Sequence, residues 1–335
     1  MQIDIRTDGV KPIRQTFANI ARRLGADKPA TRYQEAMYDL QPETSFHYRP
    51  LWQPQYELYD KRRTAVVMAD WYALKDPRQF YYGTWVNTRA RQQESMEKNL
   101  EFLEQRALLA SLPADTKALL AATVVVLRHV EWAANMNNAS VTAYGYGSAI
   151  TEAAMFQTMD RLALAQYLTR IGLLIGGKPA VEAARNAWLH DATWQPARRA
   201  VEDLLVRQDW FELFVAQNLV LDGLVYPLFY QKLDAQLAIT HGPAFALATD
   251  FMQAWYAETG RWVDAVVKTA VQESAANAAV IGRFAFAWLD RFEDALGPVA
   301  NRLFGADGGD VLAAVAAPLE KRLAALGLTR EGVPS

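Results

Sequence analysis

Between residues 209 and 236 apolar side chains fall on every side of a helical projection, with Val215, Val220, Leu224 and Phe229 pointing in different directions. A helix that is apolar all round is stable only when other elements enclose it. The chain must therefore build a shell around this stretch. Pro227 lies inside it and predicts a kink. No segment shows the two-residue alternation of a half-buried strand, and no fixed-period repeat is present, so the shell is expected to be helical.

The helices can be placed from their punctuation. Asp76-Pro77 is a start signal, with an N-cap acid and a proline in the first turn. From there Trp85, Gln92, Met96, Leu100 and Leu103 share one face, which predicts a helix of about thirty residues ending near Leu112-Pro113. A second is expected over 113–137 and a third over 142–175, closed by Gly176-Gly177. Shorter helices fit 179–189 and 196–207. A long one should follow Gly242-Pro243 and run to about Ser274. The tail, 276–327, reads as helices broken at Gly297-Pro298 and again at 305–309.

The first quarter is different. Thirteen aromatic residues fall between Tyr33 and Trp85, and Pro42, Pro50 and Pro54 forbid a helix through 40–55. An extended segment cannot build its own core, yet each Tyr or Trp can bury roughly 150–250 Å². It must lie on its own helical body or on a partner subunit, and composition leaves both open.

Composition removes whole classes. There is no cysteine, so disulfides, iron–sulfur ligation, thiolate zinc sites and a cysteine nucleophile are excluded. With 35 Lys+Arg against 37 Asp+Glu, the net charge of −2 gives no electrostatic footprint for nucleic acid. The start, Met1 to Arg6, lacks a basic cap followed by an apolar run, so a secretory signal is not expected. The longest apolar runs, such as 118–127, are about half a membrane span. A cytoplasmic protein is the expectation. Gly145-Tyr146-Gly147-Ser148 begins like a dinucleotide loop but lacks the third glycine and a preceding strand. Asn138-Ala139-Ser140 matches a glycosylation acceptor, without weight in the absence of secretion.

Long antiparallel helices raise one enzymatic possibility, a carboxylate-bridged di-iron centre. It requires a Glu from each of two helices and Glu-x-x-His from two others, because residues three apart share a face. No Glu-x-x-His occurs. Of the four histidines, His47, His129, His190 and His241, only His129 lies inside a long helix, and it projects away from the Leu120, Val124, Leu127 and Glu131 face. Glu131 and Glu258 stand where metal ligands would stand, with Ala134 and Arg261 where histidines would be needed. These two, with Asp222, read as inward carboxylates satisfied by hydrogen bonds or an arginine. Glu94, Glu97, Glu101 and Glu104 read as a solvated face.

Several long strings resemble the β chain of the hydroxylase component of bacterial multicomponent phenol hydroxylases, relatives of the toluene and methane monooxygenases. They are Phe46-His47-Tyr48-Arg49-Pro50-Leu51-Trp52, 69–83 (ADWYALKDPRQFYYG), 127–138 (LRHVEWAANMNN), 143–162 (AYGYGSAITEAAMFQTMDRL) and 209–227 (DWFELFVAQNLVLDGLVYP). The resemblance implies an all-α, ferritin-like long-helix bundle over 76–335 without a di-iron site, and an extended aromatic-rich arm over 1–75 that meets another subunit. It implies a non-catalytic subunit that scaffolds a complex converting phenol and methylphenols to catechols with O₂ and NADH. No cofactor is expected on this chain. The di-iron centre is expected in an α chain, and FAD with an iron–sulfur cluster in a reductase. The implied partners are the α chain, a small γ chain, a second αβγ protomer and an effector protein, with no nucleic acid and no membrane. Tyr33, Tyr38, Phe46, His47, Tyr48, Trp52, Tyr56 and Tyr59 are the expected interface residues, and Glu131, Asp222 and Glu258 vestigial carboxylates. The alternatives are a chain with its own atypical di-iron centre built from Glu131, Glu258, Asp222 and Glu94, the β chain of a related toluene monooxygenase, and a free-standing helical binding module.

Overall fold

A computed structural model describes residues 16–26 and 28–330. The first fifteen residues assigned to the arm and the last five of the helical part lie outside them. Among the described residues there are no strands, three single-turn 3-10 helices (Lys61–Arg63, Trp71–Ala73 and Gly305–Asp307) and eleven longer helices: α1 (Ala18–Leu24), α2 (Arg32–Met37), α3 (Tyr82–Gln105), α4 (Ala114–Ala122), α5 (Leu127–Tyr144), α6 (Ser148–His190), α7 (Gln195–Leu204), α8 (Trp210–His241), α9 (Ala244–Glu273), α10 (Ala275–Phe304) and α11 (Gly308–Ala325).

The apolar helix α8 lies at the centre, as its composition requires. It packs against α5, α9, α10 and α11, while α5 and α6 form a tight antiparallel pair and α3 lies across α6 and α9. Its most apolar stretch is long enough to cross a membrane, but 94 % of that stretch is buried against its own chain. Pro227 keeps helical angles of φ −65° and ψ −37°. The irregularity of α8 lies in two π-helical turns on either side of it, Val215–Leu221 and Leu228–Leu233.

Four other boundaries differ from the sequence expectation. Asp76-Pro77 makes a turn, with Asp76 Oδ1 accepting from the Arg78 N–H at 2.9 Å, and the helix expected from there to about Leu112 is the shorter α3, which starts at Tyr82, where Thr84 accepts from the Tyr81 N–H, and ends at Gln105. The helix expected over 113–137 is broken between α4 and α5, where Thr123 leaves the helical region (φ −132°, ψ −71°). The cause is local: Thr123-Val124-Val125-Val126 is a β-branched run with poor helix propensity, fully buried as a tight connection. The next helix begins at Ser148 rather than near 142, after a turn at Gly145-Tyr146-Gly147. A Cβ on Gly145 would lie 2.5 Å from the Val141 carbonyl, and Gly147 has φ +95° beside Trp71. Those glycines serve a helix–helix turn, not a phosphate. Finally, α10 runs through Gly297-Pro298. Pro298 deprives the Asp294 carbonyl of its donor, but Asp294 is exposed and water can satisfy it. The expected stop at Gly176-Gly177 is present as two non-helical residues inside α6.

The arm, expected as extended throughout, carries α1 and α2 in its first half; from residue 38 on it is an extended strap with only single 3-10 turns, pinned by side chains. Asn277 holds Val67 from both sides, accepting from its N–H at 3.0 Å and donating to its carbonyl at 2.8 Å. Glu273 accepts from the Ala69 N–H at 2.9 Å and Asp209 from Ala65 at 2.7 Å. Upstream, Ile20, Tyr33, Met37 and Tyr38 join Tyr72, Phe80, Ala149 and Phe156 in a second, smaller core.

Close helix packing is tested at Gly172 on α6. A Cβ there would meet Val125 Cγ1 at 2.8 Å and Val181 Cγ2 at 3.2 Å. Valine cannot swing aside cheaply. Gly172→Ala is expected to destabilise by about 1–3 kcal/mol, read as a lower thermal midpoint. Gly309→Ala, with open space around it, is expected to be neutral or slightly stabilising.

Candidate functional site: two polar clusters inside the bundle

Two adjacent residues in the first half of α6, Asp160 and Arg161, are buried and, about 100° apart around the helix, face different neighbours while both touching Trp255. Each organises a polar cluster, and together they tie five helices.

Arg161 faces α5 and α8. Its Nη1 donates to Glu131 Oε2 at 2.9 Å and to the Tyr226 hydroxyl at 3.4 Å. Its Nη2 donates to Asp222 Oδ2 and, at 3.3 Å, to Asn218 Oδ1. The guanidinium also lies 4.6 Å from the ring centre of Trp255 on α9. Tyr226 donates to Glu131 Oε1 at 2.8 Å, and Gln217 Nε2 to Asp222 Oδ1 at 3.0 Å. Asn137 donates to Gln217 at 2.9 Å, while Asn138 and Asn218 exchange hydrogen bonds of 3.2 and 3.0 Å. The π turn in α8 makes this possible. In an α-helix Gln217 and Asp222, five residues apart, diverge by about 140°; the wider turn brings them to one side.

One cation therefore sits between two carboxylates. Burial pushes the Glu131 and Asp222 carboxyls upward, against the lowering pull of Arg161. The same acids raise Arg161, outweighing its own burial. A cluster with a proton on one of the two acids is electrically neutral, the cheapest state for a dry interior.

Asp160 faces α3 and α9. It accepts from the indole nitrogens of Trp85 at 2.9 Å and Trp255 at 3.0 Å, and from Arg89 Nε at 2.8 Å and Nη2 at 2.7 Å. Arg89 also reaches Glu258, at 2.9 and 3.1 Å. Arg78, which makes a paired contact with Asp76 at 2.9 and 3.0 Å, donates to Glu258 at 3.4 Å. Burial raises Glu258, but the hydrogen bonds and charge of Arg89, with the charge of Arg78, outweigh it and hold the carboxyl below its ordinary value.

All three inward carboxylates thus have arginine partners. Glu94 is exposed on α3, and Glu97 pairs with Arg170. The histidines lie apart from these acids. His129 stacks on Trp188 at 5.8 Å, and burial, with Arg128 and Arg185 nearby, lowers it to about 4. His241 meets Thr116 at 3.0 Å, His47 lies in the exposed strap, and His190 is exposed at the end of α6. Among the described residues no three His, Asp or Glu side chains are grouped to hold a metal. The bundle centre is filled by a guanidinium aimed at the carboxylates a metal would need, so these residues do not fit a di-iron centre.

The eight expected interface residues divide. Tyr33 and Tyr38 are buried in the chain's own small core, where Tyr33 accepts from the Asp76 N–H at 2.9 Å. Their side chains are not available to a partner; a capping box at Thr31 forms α2 and turns them inward. Phe46, Tyr56 and Tyr59 are half-buried, and Phe46 packs on Tyr59. His47, Tyr48 and Trp52 are exposed, beside Leu51, which is 92 % exposed. Sequence reasoning passed over Arg161 and Asp160. The available signal was a charged pair, Asp160-Arg161, between the apolar residues Ala153, Ala154, Phe156, Leu164 and Leu168 of the same helix.

The family model described as methane/phenol/alkene hydroxylase matches residues 52–274. The chain is 49 % identical over 324 residues to the oxygenase component DmpL of phenol 2-monooxygenase from Pseudomonas sp. (strain CF600), covering 96 % of this chain and 98 % of that one. It superposes on a chain of the xenon-pressurised phenol hydroxylase from Pseudomonas sp. OX1 with a TM-score of 0.93 and 43 % identity, over 98 % of this chain and 100 % of the other. Toluene 4-monooxygenase with toluene bound shares the ferritin-like fold, with a TM-score of 0.75 at 21 % identity over 91 % and 99 % of the two chains. On the length of the matched region and the identity to a relative covered almost end to end, the chain belongs to the methane/phenol/alkene hydroxylase family.

Proposed function

We propose that this chain is the non-catalytic β chain of a phenol 2-monooxygenase hydroxylase, a cytoplasmic complex that converts phenol and methylphenols to catechols with O₂ and NADH. The observation that carries the reading is Arg161. Its guanidinium bridges Glu131 and Asp222 where a bundle of this kind would hold metal. The di-iron centre then belongs to an α chain, and FAD and an iron–sulfur cluster to a reductase. The complex contains two αβγ units and responds to an effector protein. The exposed strap residues Tyr48, Leu51 and Trp52 support a partner contact there, since such a surface is costly to leave in water.

The role proposed is mechanical. Two cross-braced polar clusters fix five helices of this chain, and a rigid chain holds its neighbour's ligand-bearing helices in register. The test is to prepare the hydroxylase with and without this chain. The purified chain alone is expected to bind no stoichiometric iron and to hydroxylate no phenol. The complex without it is expected to lose turnover on the order of a hundredfold, the usual effect of misplacing reacting groups by about an ångström. Stoichiometric iron on this chain, or full turnover and assembly without it, would refute the reading.

A further inference from the structure

Two prolines stand inside neighbouring helices, and both border the same cavity. The cavity measures about 280 Å³ and lies between α8, α9 and α11. Pro227 is on α8 and Pro318 on α11. A proline inside a helix offers no N–H to the carbonyl four residues earlier. The two carbonyls deprived in this way belong to Gly223 and Ala314, and both residues also border the cavity. A helical carbonyl points along the axis toward the residue four further on. Each acceptor therefore lies in the cavity wall, between its own residue and the proline. On α8 the next donor, the Leu228 N–H, turns to Leu224 and Val225 instead. Gly223 itself is buried, and a Cβ there would lie 2.8 Å from Leu319 Cδ1. Its lack of a side chain lets the two helices close on each other at this point.

Donors complete the lining. Arg322 donates from Nε to Asp264 at 2.7 Å, and its terminal nitrogens make only long contacts, 3.3 Å to the Tyr256 hydroxyl and 3.4 Å to the Gly260 carbonyl. Lys232 is exposed, with no ion pair or hydrogen bond among the described residues. Apolar surface makes up the rest, from Pro227, Pro318, Val315 and Leu319. The Tyr256 ring, also in the wall, stacks on Tyr226 at 5.0 Å, and Tyr226 donates to Glu131. The cavity is thus joined through two rings to the Arg161 cluster.

This lining selects by charge and by shape. Carbonyl oxygens need a donor and repel an anion, while Arg322 and Lys232 repel a cation. A neutral hydroxyl answers both, because it donates one proton and accepts another. Proline, valine and leucine beside a tyrosine ring suit a flat apolar body. The volume is at the small end for ligand cavities and suits a single ring. We propose that the cavity between α8 and α11 binds a small neutral aromatic alcohol. The ring lies between Pro227 and Pro318, and the hydroxyl donates to the Gly223 or Ala314 carbonyl and accepts from Lys232 or Arg322. The choice of a phenol within that class rests on the reading of this chain as part of a phenol hydroxylase.

The test uses the assembled hydroxylase with 4-fluorophenol, whose bound amount is counted by equilibrium dialysis. Ala314 is exposed, so Ala314→Trp fills the cavity without disturbing the core. It is expected to abolish one bound 4-fluorophenol per copy of this chain; an unchanged count overturns the proposal. Pro318→Ala returns an N–H to the Ala314 carbonyl. It is expected to weaken binding at this site roughly threefold to tenfold, the effect of losing one acceptor, while the thermal midpoint rises because an interior proline is gone. A higher midpoint with unchanged binding shows a proline that serves packing alone and overturns the proposal. Excess inorganic phosphate is expected to leave 4-fluorophenol bound, and displacement by it would show an anion site instead. Failure here is separable from failure of the subunit reading. An undiminished count with Ala314→Trp removes the cavity site and leaves that reading standing, whereas stoichiometric iron on this chain removes the reading and leaves a cavity-bound 4-fluorophenol in place.

Discussion

Arg161→Met is expected to destabilise the chain by about 3–5 kcal/mol, because it leaves Glu131 and Asp222 facing each other in a dry interior without their cation. Methionine fills most of the space, so the loss is electrostatic rather than a cavity effect. The thermal midpoint should fall by about 4–7 °C for a chain this large. The control is to remove an acid rather than the base. Glu131→Gln keeps an acceptor for Tyr226 and leaves one cation facing one anion, so it should cost far less.

The same pair carries a pH signature with a definite sign. Burial raises the folded-state pKa of both Glu131 and Asp222 above their ordinary values of 4.5 and 3.8. A carboxylate raised by folding binds its proton more tightly in the native chain. Its contribution is complete below the unfolded pKa and declines as pH rises through the folded one. Glu131→Gln removes one of the two titrations. Its stability curve should be flatter above pH about 4.5, and at pH about 8 it should equal or exceed the unsubstituted chain. Urea midpoints measured across that range decide the matter. A Glu131→Gln variant as damaged as Arg161→Met at pH about 8 would show that both acids are ionised and both are needed.

How much of this was legible beforehand follows from which interactions are local. The core helix α8, the long helices α6 and α9 and the glycine stop at 176–177 follow from periodicity and punctuation, which are read within a few turns of chain; α3 follows from periodicity alone, since Asp76-Pro77 opens a turn and not the helix. The break at Thr123 was missed because a buried β-branched run looks like helix core until tertiary packing chooses. The π turns were invisible for a related reason: an inserted residue leaves no compositional mark, yet it decides that Gln217 and Asp222 share a side. At the site, Glu131, Asp222 and Glu258 stood out as acids on apolar faces. Their partners did not. Arg161 and Arg89 lie 30 residues from Glu131 and 169 from Glu258, and no local pattern couples positions so far apart. In the arm, Tyr33 and Tyr38 went inward because a single capping box made a helix of their segment, whereas the prolines downstream kept Tyr48 and Trp52 outside.

Asp160→Asn carries the second large effect, and it tests the other brace. The Asp160 carboxylate accepts four hydrogen bonds from α3 and α9: two from Arg89 and one each from Trp85 and Trp255. Asparagine offers one oxygen and turns an N–H₂ group toward the remaining donors. At least one buried donor is left unpaired, at about 1–3 kcal/mol each, and the direct charge pairing with Arg89 is lost. A total of about 3–5 kcal/mol is expected for breaking a buried pair from one side. Trp85→Phe removes one donor, leaves the other three in place and keeps a ring against Phe156, so it should cost about 1 kcal/mol. The ranking separates two accounts of the cluster. If Asp160 only fills space, its isosteric amide costs nothing and Trp85→Phe is the worse variant. If it pins α3 and α9 to α6, Asp160→Asn is worse. Because α6 carries Asp160 on one side and Arg161 on the other, loss of either brace frees the same helix, and an additive double variant, Asp160→Asn with Arg161→Met, would show that the two clusters act independently.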